Sequence, residues 1–535
     1  MIGIVPTRQI FLINQAALVS LKLVIKKKMS YNRFLPDNGL PVPNYSNFSG
    51  APINFLRSLS EANVHFIGDP PEQPQPPPGY TSAFPISSYK LMCGHHSKYR
   101  DYGISSDPED YQKTRNAISR DWINVPIRFQ KNSAFEKSFK FSVMSFNVLA
   151  QELLQQHPDL YCRHNHLALK WEERWKRIHE EISNYRPDIV CLQEVQESHL
   201  SEYFLKQLKL LGYCGIYKKR TGFTCDGCAI FYKMKSVSLL EHVTVEFMQP
   251  NIPLLDRNNV AIVAVLCPKG LPDSKFVVAT THLLYNPKRQ DVRLAQMQIL
   301  LAEIERLSFH LDSKKQKKYL PIILNGDFNA TPTSSLYEFI SKGHLKYEHL
   351  AAKKLDDKGI PCQGPVLIPS DLQITDNCQH ALLVEVRDAY YKTYESNDKD
   401  SKHHEYLMGL SKKVDLNKLH RSANNVCSPN CSSVRKENLF STGALSHLFA
   451  FKSAYRHGDP ANPQATTFQN EWVMVDYIFY SGKKKNGQFR DDKLKLSGYL
   501  RLPYRSELEG FKIPNDSFGS DHFCLVAKFL LNTGP

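Results

Sequence analysis

From Phe139 onward, short apolar runs recur along the chain, and most are opened or closed by a polar residue. In the first, Phe139, Phe141 and Val143 alternate with polar neighbours, which is the period of a strand, and KFSVMSFNVL continues it. DIVCLQEV from Asp188, CAIFYK from Cys228 and VAIVAVLC from Val260 read as strands buried on both faces. FVVATTHLL from Phe276, YLPIILNGDFN from Tyr319, VMVDYIFY from Val473 and FCLVAKFLL from Phe523 read in the same way. Between them, Trp171, Trp175, Ile178 and Ile182 recur at helical spacing, and Pro187 ends that helix. A second helix is predicted over Asp291 to Leu311, with Leu294, Met297, Leu301 and Ile304 on one face. Strands mixed with helices in this way predict one large α/β domain.

Two stretches break the pattern. Residues 1–135 hold fourteen of the 32 prolines, including PPEQPQPPPG at Pro70 to Gly79, and predict a proline-rich, largely disordered arm. A single folded domain is then expected over 136–535. Within it, at about 346–440, the pattern fades into SNDKDSKHHE and NNVCSPNCSS, which predicts a flexible insertion. No internal repeat of fixed period occurs.

Composition narrows the partners more than the fold. Lys and Arg number 68 against 53 Asp and Glu, a net charge of +15, which favours a polyanionic partner over a cationic or apolar one. Twelve scattered cysteines do not make a disulfide scaffold. The closer pairs, Cys225 with Cys228 and Cys427 with Cys431, read as reduced thiols of an intracellular, cytoplasmic or nuclear, protein. No apolar run reaches the roughly 20 residues that span a bilayer, so no membrane partner is expected. The first 36 residues are basic and free of acid, like an organellar presequence, which leaves a mitochondrial address open.

The polar residues at the ends of the buried runs carry the candidate chemistry. Asn147 closes the first run, Glu194 the second and His282 the THLL run. Asp327 and Asn329 close GDFN, Asp476 lies in VDYIFY, and Asp521 and His522 open the last run. Strand ends line the ligand crevice of α/β sheets, and a buried charge is costly unless paired or bound to a metal. Any one of these residues reads equally well as a cap or turn; the shared placement of all of them does not. Carboxylates with amide and imidazole partners suit a hard cation such as Mg²⁺, with Mn²⁺ as a substitute, leaving positions open for phosphate oxygens. No P-loop and no G-x-S-x-G elbow occurs.

SFNVLA, LQEV, THLLYNP, GDFN, VDYIF and SDH, in that order, resemble the endonuclease/exonuclease/phosphatase superfamily. FSVMSFNVLAQELL, DIVCLQEVQESH, DGCAIFYK, THLLYNPKR and VDYIFYS are similar to Angel proteins, relatives of the carbon-catabolite-repression-type deadenylases. The resemblance implies a deoxyribonuclease I-like fold, a four-layer α/β sandwich with two central mixed β-sheets. It also implies roles. Glu194 would be the principal metal ligand, with Asn147 beside it, also near the substrate, and Asp521 contributing. Asp327 would orient or deprotonate the attacking water, and Asn329 would fix the phosphate. His522, paired with Asp476, would hold a phosphate oxygen, and His282 would contact it from the other side. Lys288 and Arg289 would reach substrate phosphates, although solvated charges at a helix start explain them equally well.

The leading expectation is therefore a Mg²⁺-dependent phosphoesterase acting on RNA 3′ ends. The Angel resemblance implies hydrolysis of terminal 2′,3′-cyclic phosphates; the deadenylases imply stepwise 3′–5′ exonuclease cleavage of mRNA instead. A non-catalytic RNA-binding protein would not need every acid and histidine. A lipid or inositol-phosphate phosphatase lacks a membrane module here. The leucine-rich repeats that tether the related deadenylases to their complex are absent from the sequence.

Overall fold

In a computed structural model, the described residues are 118, 120–127, 137–312, 316–347, 367–395, 439–440, 442–457, 461–482 and 493–534. They build two facing mixed sheets. The first has seven strands in the order Trp122–Asn124, Leu494–Leu500, Leu525–Asn532, Ser138–Asn147, Ile189–Gln196, Asp226–Lys233 and Tyr213–Lys219. The second has six: Phe451–Ser453, Asp476–Ser481, Ile322–Asp327, Phe276–His282, Val260–Pro268 and Val237–Glu246. Each sheet has one parallel pair, Ser138–Asn147 with Ile189–Gln196 and Ile322–Asp327 with Phe276–His282.

Alternation along the first run decides which layer each side chain enters. Phe141 and Val143 join the core between the sheets, with Ile262, Val278, Ile323 and Ile478 from the opposite sheet. Met144 and Phe146 point the other way, onto Trp171, Trp175, Ile178 and Ile182 of the helix Trp171–Tyr185. The tryptophans are core packing. That helix ends as predicted before Pro187, with Arg186 in the left-handed region. On the far face of the second sheet, Leu294, Met297, Leu301 and Ile304 of the helix Gln290–Ser308 complete the fourth layer. The expected helix–sheet–sheet–helix sandwich is the observed one.

Two expected boundaries differ. The helix Gln290–Ser308 is buried on nearly all sides, not along one stripe. Part of the expected flexible insertion covers it: Glu303 pairs with His380 at 2.7 Å, Glu305 with Arg387 at 2.5 Å, and Gln298 donates to the Thr375 carbonyl at 3.0 Å. Leu367, Ile368, Leu372 and Ile374 of the same segment join the hydrophobic core, so 367–395 is a packed part of the domain. The remainder of 346–440 lies largely outside the described residues.

The end of the expected arm also belongs to the domain. Trp122–Asn124 pairs with Leu500–Gly498 at the edge of the first sheet. Arg120 is buried; it donates to the Arg501 carbonyl at 3.3 Å and to the Cys524 carbonyl. The described part of the domain therefore reaches back to residue 118, ahead of the expected 136. Deleting residues 1–117 is expected to leave the melting temperature unchanged. Deleting 1–127 removes the edge strand and the Arg120 bonds, and should cost about 2–4 kcal/mol by urea titration.

Candidate active site

Strand register gathers the site. Asp327 lies opposite His282 across the parallel pair and opposite Asp476 across the antiparallel one, so three neighbouring strands end in one polar row. Gly326 makes this approach feasible: at φ +139°, a Cβ there would lie 2.0 Å from the Thr281 carbonyl oxygen. Two carboxylates directly opposite each other repel, and burial sharpens that cost.

On the first sheet, a bulge between Leu192 and Val195 re-aims Glu194, which sits at φ +57°. Leu149 and Asn329 are also left-handed, at +56° and +50°. Strain of this kind in non-glycine residues gathers at functional sites, where surrounding contacts hold it. Here those contacts are explicit. Glu194 Oε2 accepts the Ala150 N–H at 3.1 Å, and Asp327 Oδ1 accepts the Asn329 N–H at 2.9 Å. Asn147 bridges the sheets, donating from Nδ2 to Glu194 Oε1 at 2.9 Å and to Asp327 Oδ2 at 3.1 Å.

Asp327 Oδ2 also faces His282 Nε2 at 3.6 Å and His522 Nε2 at 3.8 Å. His522 Nδ1 and Asp476 Oδ2 lie 2.8 Å apart, both residues buried. Burial by itself would lower His522, but Asp476, then Asp521 and Asp327, hold it well above the usual histidine range. His282 is lowered, chiefly by burial. Burial, and then the Asp226 and Asp521 charges, pushes Glu194 up to about 7; burial and Asp476 push Asp327 up to about 6.

The structure thus brings together Asn147, Glu194, His282, Asp327, Asn329, Asp476 and His522. Asp521 adjoins them, its Oδ2 accepting the Tyr161 hydroxyl at 2.8 Å. Lys288 and Arg289 stand on the turn after His282 with local partners: the Lys288 N–H donates to Asn286 Oδ1, and the Arg289 guanidinium holds Asp291 at 2.9 Å. Three supporting residues escaped sequence reading. Arg174, buried, donates to the Val148 and Leu149 carbonyls at 2.6 Å and to the Gly519 carbonyl at 2.8 Å, stapling the SFNVLA and SDH turns together. Its signal was a cation in the apolar stripe of the WEERW helix. Asp226, buried and gripped by Arg220 at 2.9 Å, is an acid that opens the apolar strand Asp226–Lys233. Tyr161 had no sequence signal.

The ligand atoms of Asp327, Asp476 and His522 lie within 4.8 Å of one another, a buried group that could hold a metal. Sequence reading placed the ion instead on Glu194, Asn147 and Asp521. Oxygen donors crowded out of water, with two carboxyls pushed upward, fit a hard divalent cation, because such a charge relieves their repulsion.

That fit has a pH signature in the metal-free protein. A carboxyl raised on folding stabilises the fold fully below its unfolded value and loses that contribution as pH rises through the folded one. From ordinary values of 4.5 and 3.8 to about 7 and about 6, Glu194 and Asp327 place the loss between about pH 4 and pH 7. A divalent cation should therefore raise the melting temperature more at about pH 7.5 than at about pH 5.5. Glu194→Ala should shrink that increment. An increment independent of pH would mean that the ion goes elsewhere.

Facing mixed sheets with an acid–amide–imidazole cluster where their strands end define a recognisable class of α/β protein. The Endonuclease/Exonuclease/phosphatase family profile matches residues 144–522, from the strand Ser138–Asn147 to the last site histidine, and the chain belongs to that family, in its Angel branch. It is 36% identical over 479 residues to protein angel homolog 2 of Bos taurus, a match covering 84% of this chain and 82% of the relative. To protein angel of Drosophila melanogaster it is 31% identical over 400 residues, covering 74% and 81%. The crystal structure of ANGEL2, described as a 2′,3′-cyclic phosphatase in complex with adenosine-2′,3′-vanadate, matches at 33% identity and TM-score 0.58. That match covers 78% of this chain and 99% of the other.

Proposed function

We propose that this protein is a Mg²⁺-dependent phosphoesterase that hydrolyses 2′,3′-cyclic phosphates at RNA 3′ ends, with Mn²⁺ able to replace Mg²⁺. One observation carries the reading: the buried Asp327–His522–Asp476 row with Asn147 and Glu194 sits on a chain similar over 78% of its length to a 2′,3′-cyclic phosphatase. The ion is assigned to Glu194, with Asn147 and Asp521, rather than to the Asp327, Asp476 and His522 group. His522 Nδ1 and Asp476 already satisfy each other, and an imidazolium repels a cation. When bound, the ion lends positive charge to a phosphate oxygen and to the charge that develops there.

The protein's own groups supply the rest. Asp327, lifted toward neutrality, takes a proton from the attacking water. The water oxygen bonds to phosphorus as one ring P–O bond breaks, and the departing ribose oxygen receives a proton from the imidazolium side. His522 holds a phosphate oxygen, His282 flanks it, and the Asn329 amide steadies it. Lys288 and Arg289 are assigned to phosphates further up the strand. The net charge of +15 suits such a polyanion. No helix among the described residues is long and apolar enough to cross a membrane. The free thiols of Cys225 and Cys228 fit an intracellular setting, in cytoplasm or nucleus.

A 5′-labelled RNA bearing a 2′,3′-cyclic phosphate tests the reading. Full-length RNA that has lost its cyclic end is expected. A ladder of shortened products, with the cyclic end untouched on the remainder, would favour the 3′–5′ exonuclease reading instead.

A further inference from the structure

Phe223 stands fully exposed on the loop joining the strands Tyr213–Lys219 and Asp226–Lys233. An exposed ring on a slack loop would mean little, but this loop is pinned along its length. The Arg220 N–H donates to the Asp226 carbonyl at 2.9 Å, and its guanidinium closes on the buried Asp226 carboxylate. The Thr221 N–H donates to the Asn258 carbonyl at 3.2 Å, its hydroxyl to Asn258 Oδ1 at 2.8 Å, and the Thr224 hydroxyl returns to the Thr221 carbonyl at 3.2 Å. Gly222, at φ +69°, makes the turn against the Asn258 amide, which a Cβ would meet at 3.0 Å. The loop is ordered at both feet while its apex ring is left in water.

The loop also borders the catalytic cluster. Asp226 pairs in register with Gln196, two residues past Glu194, and its charge acts on Glu194. The Glu197 N–H donates to the Cys225 carbonyl at 2.7 Å. Next to the anchoring Asn258, Asn259 donates to the His282 carbonyl at 3.0 Å, and three residues beyond His282 comes Tyr285, also exposed. Two outward aromatic rings thus stand on loops tied to one another at the site.

Resting on the reading of an RNA substrate, we propose that Phe223 is a stacking subsite for a nucleobase upstream of the reacting 3′ end. A base offers a flat apolar face of any sequence, and a ring fixed in advance loses little freedom on meeting it. The exposed Lys288 suits a strand carrying phosphates, while Lys218 and Lys219 are held by Glu246 and Glu197. The subsite makes an oligonucleotide a better substrate than a lone nucleotide.

The full-length protein is assayed on a tetranucleotide ending in 2′,3′-cyclic phosphate and on adenosine 2′,3′-cyclic monophosphate. Phe223→Ala is expected to lower the oligonucleotide-to-mononucleotide ratio of kcat/KM about tenfold, through KM, and Phe223→Trp to preserve it. Independently of turnover, F223W should gain fluorescence quenching by a 3′-hydroxyl RNA in EDTA, measured against the quenching of the unaltered protein. If neither substrate is turned over, the functional reading fails while the quenching still tests the subsite. No added quenching in F223W overturns the subsite, as does an unchanged ratio in F223A; either result would fit a ring that meets another protein.

Discussion

Replacing Asp327 by asparagine is expected to lower kcat about a thousandfold or more while leaving a folded protein. The argument starts from one atom. Asp327 Oδ2 is the point on which the site converges, 3.1 Å from Asn147 Nδ2, 3.6 Å from His282 Nε2 and 3.8 Å from His522 Nε2. Burial beside Asp476 lifts this carboxyl to about 6, close to neutral pH, where a base accepts a proton most usefully and is still mostly ionised. Asparagine keeps the shape and removes the base. General-base loss costs on the order of 10²–10⁴, and the lost charge in a dry site adds to it. Stability should move little. The repulsion with Asp476 disappears, but one acceptor facing either the Asn329 N–H or the Asn147 amide becomes a donor. A melt confirms the fold, and single-turnover assays at saturating substrate read the loss. A variant within tenfold of the parent would remove Asp327 from the proton-transfer step.

How far this site was readable in sequence depends on what kind of interaction places each residue. Asp327, Asp476 and His282 were legible because continuous apolar runs announce strands buried on both faces, and their polar ends fall at the sheet edge. Glu194 was legible as a residue, but its bulge was not, because nothing in LQEV marks the extra position or the left-handed turn. Arg174 and Asp226 were hidden for the opposite reason. They are charged residues in apolar patterns, and only their partners, the Val148 and Leu149 carbonyls and the Arg220 guanidinium, make burial tolerable. The same blindness misread the insertion. His380 and Arg387 dock on Glu303 and Glu305 by ion pairs, and the few buried apolar residues beside them, Leu367, Ile368, Leu372 and Ile374, were outweighed by the polar stretches SNDKDSKHHE and NNVCSPNCSS. At the amino-terminal end, three residues of edge strand and one buried arginine were outweighed by a proline-rich neighbourhood. The four-layer architecture survived these omissions because the layers are set by the long apolar strands and the two helices.

The second large effect concerns Asp476 and His522, and here pH separates mechanism from damage. The carboxylate lies 2.8 Å from His522 Nδ1, and its charge, with those of Asp521 and Asp327, keeps an imidazole that burial would otherwise neutralise well above its usual range. The ring is therefore imidazolium through neutral pH, with Nε2 turned toward the point where phosphate would sit. In Asp476→Asn the leading opposing charge is gone, so His522 should lose its proton at a lower pH than in the parent. The expected result is a fall of about 10²–10³ in kcat/KM at pH 7.5, with the alkaline limb of the pH–rate profile displaced to lower pH. His522→Gln should cost as much or more, with no such limb, because no proton remains to be lost. The double variant should cost little beyond the worse single one, since the acid acts only through the ring it charges and aims. Merely structural damage would lower the rate at every pH and leave the limb in place. Losses that add in the double variant, with an unshifted limb in Asp476→Asn, would mean that the two residues act separately and that the short contact between them is packing.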